Sequence, residues 1–517
     1  MPAMAAWWSW GERPARVQAD ATRILSDLER RWGPLPERVD VRVALPRSNA
    51  EMIAKLKDAL GAVFVREDAE ARLAHAIGQS YPELFDARRG VLRRAPIAVI
   101  MPTLVEHVAA ALRVARPLGL AVLPYGGGSS VTGGVAGPDD PYIALSLRGL
   151  HELRRVDRTS LVAVVDSGAS GPELEAALAQ QGVTLGHYPQ SFERSTVGGW
   201  IATRSVGQLS TGVGSIADLL VGLRAIAPIG DVALPAQPAA SEGIDLQELL
   251  LGSEGRIAVI TEATLRVRPL PEERRTFAWR CASFAEGADL VRAILQEGIA
   301  PELVRLSDEV ESAMLGLAGS LLLVGVEGTA RRVASASAQI GALVGTRAAP
   351  LDASVAARWY ETRFDAPYLR DALLERDVIA DSLETATLWS GLGELYARTR
   401  MAIARTLDPG GRTIVLCHLS HAYATGASLY FTFLAPGGDD ALARWISAKR
   451  AALDAIVAAG GVVSHHHGIG RDHREWLARR YGNVAKIADT VANAFDPTRV
   501  LAANRPGRVR TTLEGAR

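Results

Sequence analysis

Residues 96–134 constrain the fold of this chain more than any other stretch. IAVIMP is a short apolar run closed by Pro102 and reads as a strand. TLVEHVAAALRVARPLG repeats apolar residues at helical spacing and stops at Gly119. LAVLP is a second strand and runs straight into YGGGSSVTGG. Three consecutive glycines, Gly126, Gly127 and Gly128, let backbone approach a ligand closely and adopt positive φ. Their successive N–H groups can form a concave nest for an anion such as pyrophosphate, and Ser129 and Ser130 add hydroxyls. No helix-opening GxGxxG and no Gly-Lys-Ser/Thr is present here, which excludes the Rossmann and Walker patterns. Taken alone, the loop reads equally well as a flexible connection.

Two further segments change that balance. SFERSTVGG, followed by WIATRSVG, again places hydroxyls and glycines where backbone must meet a ligand. GSEGRIAVI leads from a glycine turn into apolar residues that predict a buried strand or helix. Together the three segments point to one extended ligand with a diphosphate in its middle. From Glu272 to about Ala459 longer helices alternate with strands, as a separate α+β domain would. Amphipathic patterns at Arg16–Trp32 and Ala50–Leu60 carry no visible chemistry.

Composition narrows the classes. Lys plus Arg and Asp plus Glu both number 57, so no basic field is available for nucleic acid or an anionic membrane. Cys281 and Cys417 are the two cysteines, which excludes a disulfide framework and a Cys-based zinc site and fits a reducing compartment. The apolar run 97–123 is broken by Glu106, His107, Arg113 and Arg116, and central charges make a membrane span costly. MPAMAAWWSWGERPAR lacks the basic and apolar regions of a signal peptide, so a cytoplasmic location is expected. Lysine occurs only at 55, 57, 449 and 486 while Arg and Ala abound, the composition of a GC-rich bacterial genome.

The stretch SHHHGIGRDHREWL, Ser464–Leu477, then demands chemistry. Imidazole titrates near pH 6.5, so it can serve as acid, base or cationic cradle. If Val462–His467 is extended, His465 and His467 face one side and His466 the other. His473 opens a helix and is expected at the surface. Cys417, His418 and His421 cluster, but form a weak metal signal.

The three glycine segments, in this order, resemble the FAD-binding domain of the vanillyl-alcohol oxidase / p-cresol methylhydroxylase superfamily. More narrowly, WWSWG, SFERSTVGGWIATRSVG, GSEGRIAVITEATLRVRP, VRLSD, GASLYF and SHHHGIG resemble the alkyldihydroxyacetonephosphate synthase family. The resemblance implies an α+β fold with a two-subdomain FAD-binding domain at 93–272. It also implies a helical region at 1–92, an α+β cap at 273–459, and a C-terminal segment at 460–517 that returns to the flavin. It assigns the pyrophosphate to Pro124, Tyr125, Gly126, Gly127, Gly128, Ser129 and Ser130. Gln190, Ser191, Ser195, Thr196, Gly199, Thr203, Arg204, Ser205, Glu254, Gly255, Ile257, Val259 and Ile260 would line the rest of FAD. Ser129 and Ser130 stand where some members bind flavin covalently through His, which implies non-covalent FAD. Ala258 replaces a common Gly and would narrow the site.

The catalytic residues implied are Tyr430, His465, His466 and His467, with Arg370 and Arg305 at the substrate and no metal. The reaction implied exchanges the acyl group of acyl-dihydroxyacetone phosphate for a fatty alcohol through an adduct at flavin N5. A homodimer with peripheral membrane contact is the corresponding expectation. An FAD-linked 2-hydroxyacid dehydrogenase is the alternative. Those relatives carry Glu-His-Gly-Ile-Gly where His466 begins HHGIG here, and their His-x-Gly-Asp-Gly-Asn-x-His metal motif is broken in HAYATGASLY.

Overall fold

The computed structural model describes residues 7–37 and 41–504. The extreme N-terminal hexapeptide and the LEGAR end of the 460–517 segment lie outside them. The expected crossover forms: strand Ala98–Ile100, helix Val105–Ala115 and strand Ala121–Tyr125. Strand Tyr142–Ser146 inserts between the two strands and pairs in parallel with both. Val65–Arg66 adds an antiparallel edge, giving four strands. The strands are buried on both faces, and Val108, Ala111 and Leu112 of the helix close over them, as a parallel sheet requires.

The second sheet is antiparallel, in the order Leu153–Asp157, Val162–Asp166, Val259–Arg266, Leu220–Ala227, Gly230–Leu234. Helix Gly171–Gln180 starts on a capping box between Ser170 and Glu173, with Pro172 inside its first turn, and seals one side. Helix Val197–Thr203 carries Trp200 and Ile201 into the same core.

The third sheet has seven strands and decides what the protein can do. Its order is Ala349–Pro350, Glu273–Cys281, Ser320–Gly328, Leu303–Ser307, Ile414–Ala422, Gly426–Pro436, Val378–Leu388. The described pairings are antiparallel. Leu429, Phe431 and Phe433 point to one face, where helices Leu392–Leu407 and Ala441–Ala458 bury them with Leu395 and Trp445. Alternation sends Ser428, Tyr430 and Thr432 to the other face.

Both ends of the chain tie the domains together. Trp8, Leu28 and Leu35 pack into the core of the seven-stranded sheet, whereas Ile53 and Leu56 pack into that of the first. At the other end, Val122 N–H donates to Val500 O, so the C-terminal segment joins the first sheet beside the glycine loop. The buried Asp496 carboxylate holds that return by accepting from Val500 N and Leu501 N, each at 2.9 Å. Asp496→Ala strands two buried amides and is expected to cost about 2–4 kcal/mol, read as a lowered midpoint in urea unfolding. Asp496→Asn keeps one acceptor and should lose less.

Candidate active site

The glycine loop is shaped by its neighbours. A Cβ on Gly127 would lie 1.9 Å from the carbonyl oxygen of Arg194, and one on Gly126 would lie 2.4 Å from Thr196 Oγ1. The loop therefore lies flat on the Ser191–Thr196 segment, with Arg194 Nε donating to Gly127 O at 2.8 Å. Among the described residues, the amides of Gly127, Gly128, Ser129 and Ser130 meet no protein acceptor. A row of free N–H donors in glycine backbone is an anion nest, and it fits the diphosphate of FAD. Tyr125 anchors the strand end through its hydroxyl to Ile77 O at 2.8 Å.

The other expected cofactor residues fall into two groups. Some meet at the loop or hold its floor. Ser195 Oγ accepts from Trp200 Nε1 and donates to Ser191 O. Thr196 caps helix Val197–Thr203, and Thr203 Oγ1 donates to Gly199 O. Ser205 bonds the buried His187 at 2.7 Å. Gly255 stands against the Pro124 ring. Others are spent on the protein itself. Gln190 donates to Arg363 O, and Arg204 donates to Leu251 O and ion-pairs with Glu248. Ile257, Val259 and Ile260 are buried at the start of a strand.

Glu254 does something sequence reading did not assign. It adopts φ of 49°, and its carboxylate accepts from Ile469 N at 2.6 Å and Gly470 N at 2.8 Å. Left-handed backbone at a non-glycine costs roughly 1–2 kcal/mol, which two charge-assisted bonds offset. Gly470 is required opposite it: φ is +51°, and a Cβ would meet Thr132 O at 2.1 Å. Thr132 O in turn accepts from Arg471 N and Asp472 N. The glycine loop, the Glu254 turn and the histidine segment thus converge at one junction.

The histidines do not alternate across a strand, as extended backbone would require. The stretch Ser464–Gly468 bends around the carboxylate of Glu384, a residue sequence reading missed. Glu384 accepts from Ser464 Oγ and from the backbone N–H of His465, His466 and His467, at 2.6 to 3.2 Å. Three successive amides converging on one anion force the chain to turn, so all three imidazoles fan out over the sheet. Only the alternation of polar residues along DSLETA could have signalled Glu384.

Register completes the row. Ser307 pairs with His418, His418 with Tyr430, and Tyr430 with Glu384. The His418 and Tyr430 rings stack at 4.9 Å, and the His467 ring stands edge-on to Tyr430 at 5.5 Å. The Tyr430 hydroxyl bonds Ser382 Oγ at 2.8 Å. His465 Nδ1 and His466 Nδ1 are 3.0 Å apart, and His465 Nε2 bonds the Tyr423 hydroxyl.

Burial pushes His465, His466 and His467 down to about 4, and the Glu384 charge only partly offsets it. At neutral pH the imidazoles are therefore neutral. They can move protons, but they are not the cationic cradle that exposed imidazoles would offer. Burial also raises the Tyr430 phenol, which stays protonated. The Glu384 carboxyl is desolvated, yet its histidine neighbours and donors hold it well below the usual range. Glu384, His465 and His466 bring ligand atoms within 4.8 Å of one another. The carboxylate already accepts four donors, however, and we assign it no ion.

The two arginines are tied down. Arg305 pairs with Glu311 at 2.7 Å and bonds His418 Nδ1 at 3.0 Å. Arg370 donates to Ala380 O, Gln79 O and Asp381 Oδ1, leaving two of its five N–H donors for a ligand. His473 is not at the surface: it is 1% exposed. WWSWG lies against this region, with Ser9 O accepting from Arg194 and Trp10 N–H donating to Asp371.

An open nest on a parallel crossover, facing a polar row on an antiparallel cap, defines an FAD-dependent enzyme of the FAD-linked oxidase class. The family described as FAD binding domain matches residues 96–233, and that described as FAD linked oxidases, C-terminal domain matches 270–505. Over 490 residues the chain is 30% identical to the alkyldihydroxyacetonephosphate synthase of Trypanosoma brucei brucei, covering 87% of this chain and 79% of that protein. The Dictyostelium discoideum enzyme of the same name is 29% identical over 475 residues, covering 85% and 78%. A solved alkyldihydroxyacetonephosphate synthase superposes with a TM-score of 0.79 at 26% identity, over 90% of this chain and 88% of that one. p-Cresol methylhydroxylase shares the fold alone, with a TM-score of 0.70 at 14% identity over 91% and 99%. The chain belongs to the alkyldihydroxyacetonephosphate synthase family of FAD-binding enzymes.

Two predictions follow from this geometry. Gly127→Ala drives a methyl into the Arg194 carbonyl and is expected to remove bound flavin, read as loss of absorbance near 450 nm, roughly where oxidised flavin absorbs, relative to protein. The second concerns acid. A carboxyl depressed in the folded state, and imidazoles likewise depressed, stabilise fully above their unfolded values, and that stability is lost as pH falls. Stability should therefore drop as pH falls from about 6.5 through about 4, and the drop should persist undiminished in its upper part in Glu384→Gln, because the charge that props up the three imidazoles is then gone, measured by thermal unfolding across that range.

Proposed function

We propose that the protein exchanges the acyl group of an acylated dihydroxyacetone phosphate for a long-chain alcohol. The bond from the reacting carbon to the acyl oxygen breaks, and a bond to the alcohol oxygen forms. The alcohol proton leaves with the carboxylic acid, so no net oxidation occurs. The observation that carries this reading is Tyr430, a protonated phenol whose ring lies 4.9 to 6.2 Å from those of His418, His466 and His467, all depressed in basicity by burial. That is an acid beside bases, the set that removal of one oxygen substituent and entry of another requires. FAD, held by the glycine-loop amides, would supply an electrophilic ring when bound. His467 or His466 takes a proton from the reacting carbon and returns it once the new bond has formed, and the proton of the incoming alcohol passes through the imidazoles to restore the Tyr430 phenol. Tyr430 donates to the departing carboxylate oxygen, steadied by Ser382. The two free donors of Arg370 suit a phosphate oxygen.

The substrate is a lipid, and it brings the enzyme to a membrane surface from the cytoplasm. Among the described residues no helix is long and apolar enough to cross a membrane. The match to relatives named alkyldihydroxyacetonephosphate synthase, over 85–87% of this chain and 78–79% of theirs, supports the reading.

A second reading is oxidation of a 2-hydroxyacid. An uncharacterized FAD-linked oxidoreductase of Escherichia coli (strain K12), 26% identical over 88% of this chain and 97% of its own length, supports a redox reaction without naming a substrate. The deciding experiment adds palmitoyl-dihydroxyacetone phosphate to the yellow protein without oxygen, then hexadecanol. Flavin bleaching with release of palmitate and formation of the ether is the expected outcome. Bleaching by D-lactate instead, with colour restored by an electron acceptor, overturns it in favour of the oxidase. Under the transferase, Tyr430→Phe should lower kcat by about 10²–10⁴ with flavin content unchanged.

A further inference from the structure

Behind the histidine turn lies a second group of buried polar side chains that the proposed reaction does not use. Lys449 is 2% exposed, Asp472 3% and His473 1%. Lysine and aspartate are almost never buried this deeply without close partners. Lys449, reaching from helix Ala441–Ala458 around the edge strand Val378–Leu388, donates to Ser382 O at 3.2 Å. The same Ser382 bonds the Tyr430 hydroxyl through its Oγ. Asp472 Oδ2 has no partner among the described residues, and the His473 ring lies near the Gly468 backbone without a well-formed bond. Buried polar atoms left this way in one place are costly unless water serves them.

The place for that water is present. A cavity of about 100 Å3, open to solvent on one side, is lined by Asp472 together with Glu83, Arg94, Gly133 and Arg471. Its lining is mixed, with Glu83, Asp86, Arg471 and Asp472 set among apolar side chains, and it has room for several water molecules. Asp472 borders it directly, with Gly133 packed against its Oδ1. Arg471 turns its guanidinium to Ala136 O and Gly137 O, and Arg94 pairs with Asp139, so neither neutralises Asp472 by direct contact. The charges that act on Asp472 are Lys449 and Arg471, which favour its anion, and Glu83 and Asp381, which oppose it. His473 feels Lys449, Glu384 and His467.

We propose that Asp472, Lys449 and His473 form a water-assisted proton route between the histidine turn at His467 and the solvent cavity beside Glu83. The placement supports this in both directions. On the inner side, His473 and Lys449 neighbour His467 and the Ser382–Tyr430 pair. On the outer side, Asp472 meets the cavity. Burial lifts the Asp472 carboxyl to about 7, where it exchanges a proton in either direction near neutrality. No bond other than O–H and N–H is made or broken along the route: each proton received from the inner water is matched by one released to the cavity. Hydroxyacid oxidation must pass a proton between a buried site and bulk water, and the acyl-for-alkyl exchange, proton-neutral overall, uses the route when a proton held by an imidazole exchanges with water, so the route serves either chemistry.

The test therefore needs no substrate. The FAD-loaded protein is photoreduced in weakly buffered solution, and a pH-indicator dye reports the protons that reduction draws in. In the native protein uptake should keep pace with flavin bleaching. In Asp472→Asn and Lys449→Met it should lag by roughly tenfold or more, with flavin content unchanged. In Asp472→Ala, added imidazole should restore the rate, which a merely structural defect would not allow. An infrared carboxyl band that titrates near neutrality and vanishes in Asp472→Asn would place the proton on that residue. Uptake that keeps pace with bleaching in both variants, or the absence of that band, overturns the route. Failure of both candidate substrates to bleach the flavin would sink the functional readings and leave this result standing.

Discussion

The Glu384 carboxylate is the point on which the site depends. It has no exposure to water and collects one hydroxyl and three consecutive amides. A buried charge is tolerable only when it is this fully bonded. The bonds are also instructions to the backbone: Ser464–His467 cannot satisfy one anion three times and remain extended. The carboxylate belongs to the cap sheet, while the next turn is gripped by Glu254 from the second sheet. Two buried carboxylates, Glu384 on a strand of the seven-stranded sheet and Glu254 in the turn before strand Val259–Arg266, therefore hold the histidine segment between them. Domain packing and active-site geometry become the same constraint.

The seven-stranded sheet supplies the other half of the site through its period of two. Phe431 and Phe433 have to face the helices, because no other surface could bury them. That fixes Tyr430 and Thr432 toward the opposite side. The same parity places His418 beside Tyr430 on the next strand and Glu384 beside it on the other. A one-residue slip of strand Gly426–Pro436 would send a phenol into the core and a phenylalanine to the flavin. The core thus sets the register, and the register sets the chemistry.

Much of this was legible beforehand, for reasons that can be stated. Helix Ala330–Val344 and helix Ala50–Leu60 follow sequence periodicity because each has one wet face and one dry face. The glycine loop was legible because only glycine tolerates the contacts that Gly126 and Gly127 make. Glu384 was not, since a single acid on a strand carries no local sign of what will fold onto it. The histidine turn was not legible for the same reason: its shape is set from a residue about eighty positions away, and the alternation that an extended backbone would give does not occur. His473 was expected outside because helix starts are usually wet, but this one is pressed under Lys449 and the cap. Local pattern reports local forces, and these residues answer to distant ones.

The placement of Glu384 also bears on which reaction a shared fold can run. In the hydroxyacid dehydrogenases that the sequence resembles, the signature begins with Glu where His466 stands here. This chain returns a carboxylate to the neighbourhood, but from a strand, and turned toward amides. Its lone pairs are occupied by donors, so it cannot also serve a cation that would polarise a hydroxyacid. What it leaves in the row beside Tyr430 is imidazole and phenol, both neutral at working pH. Neutral groups that can each hold or release one proton suit the exchange of one oxygen substituent for another better than they suit the stabilisation of an alkoxide awaiting hydride loss. The fold admits both reactions, and the direction in which one carboxylate points favours the first.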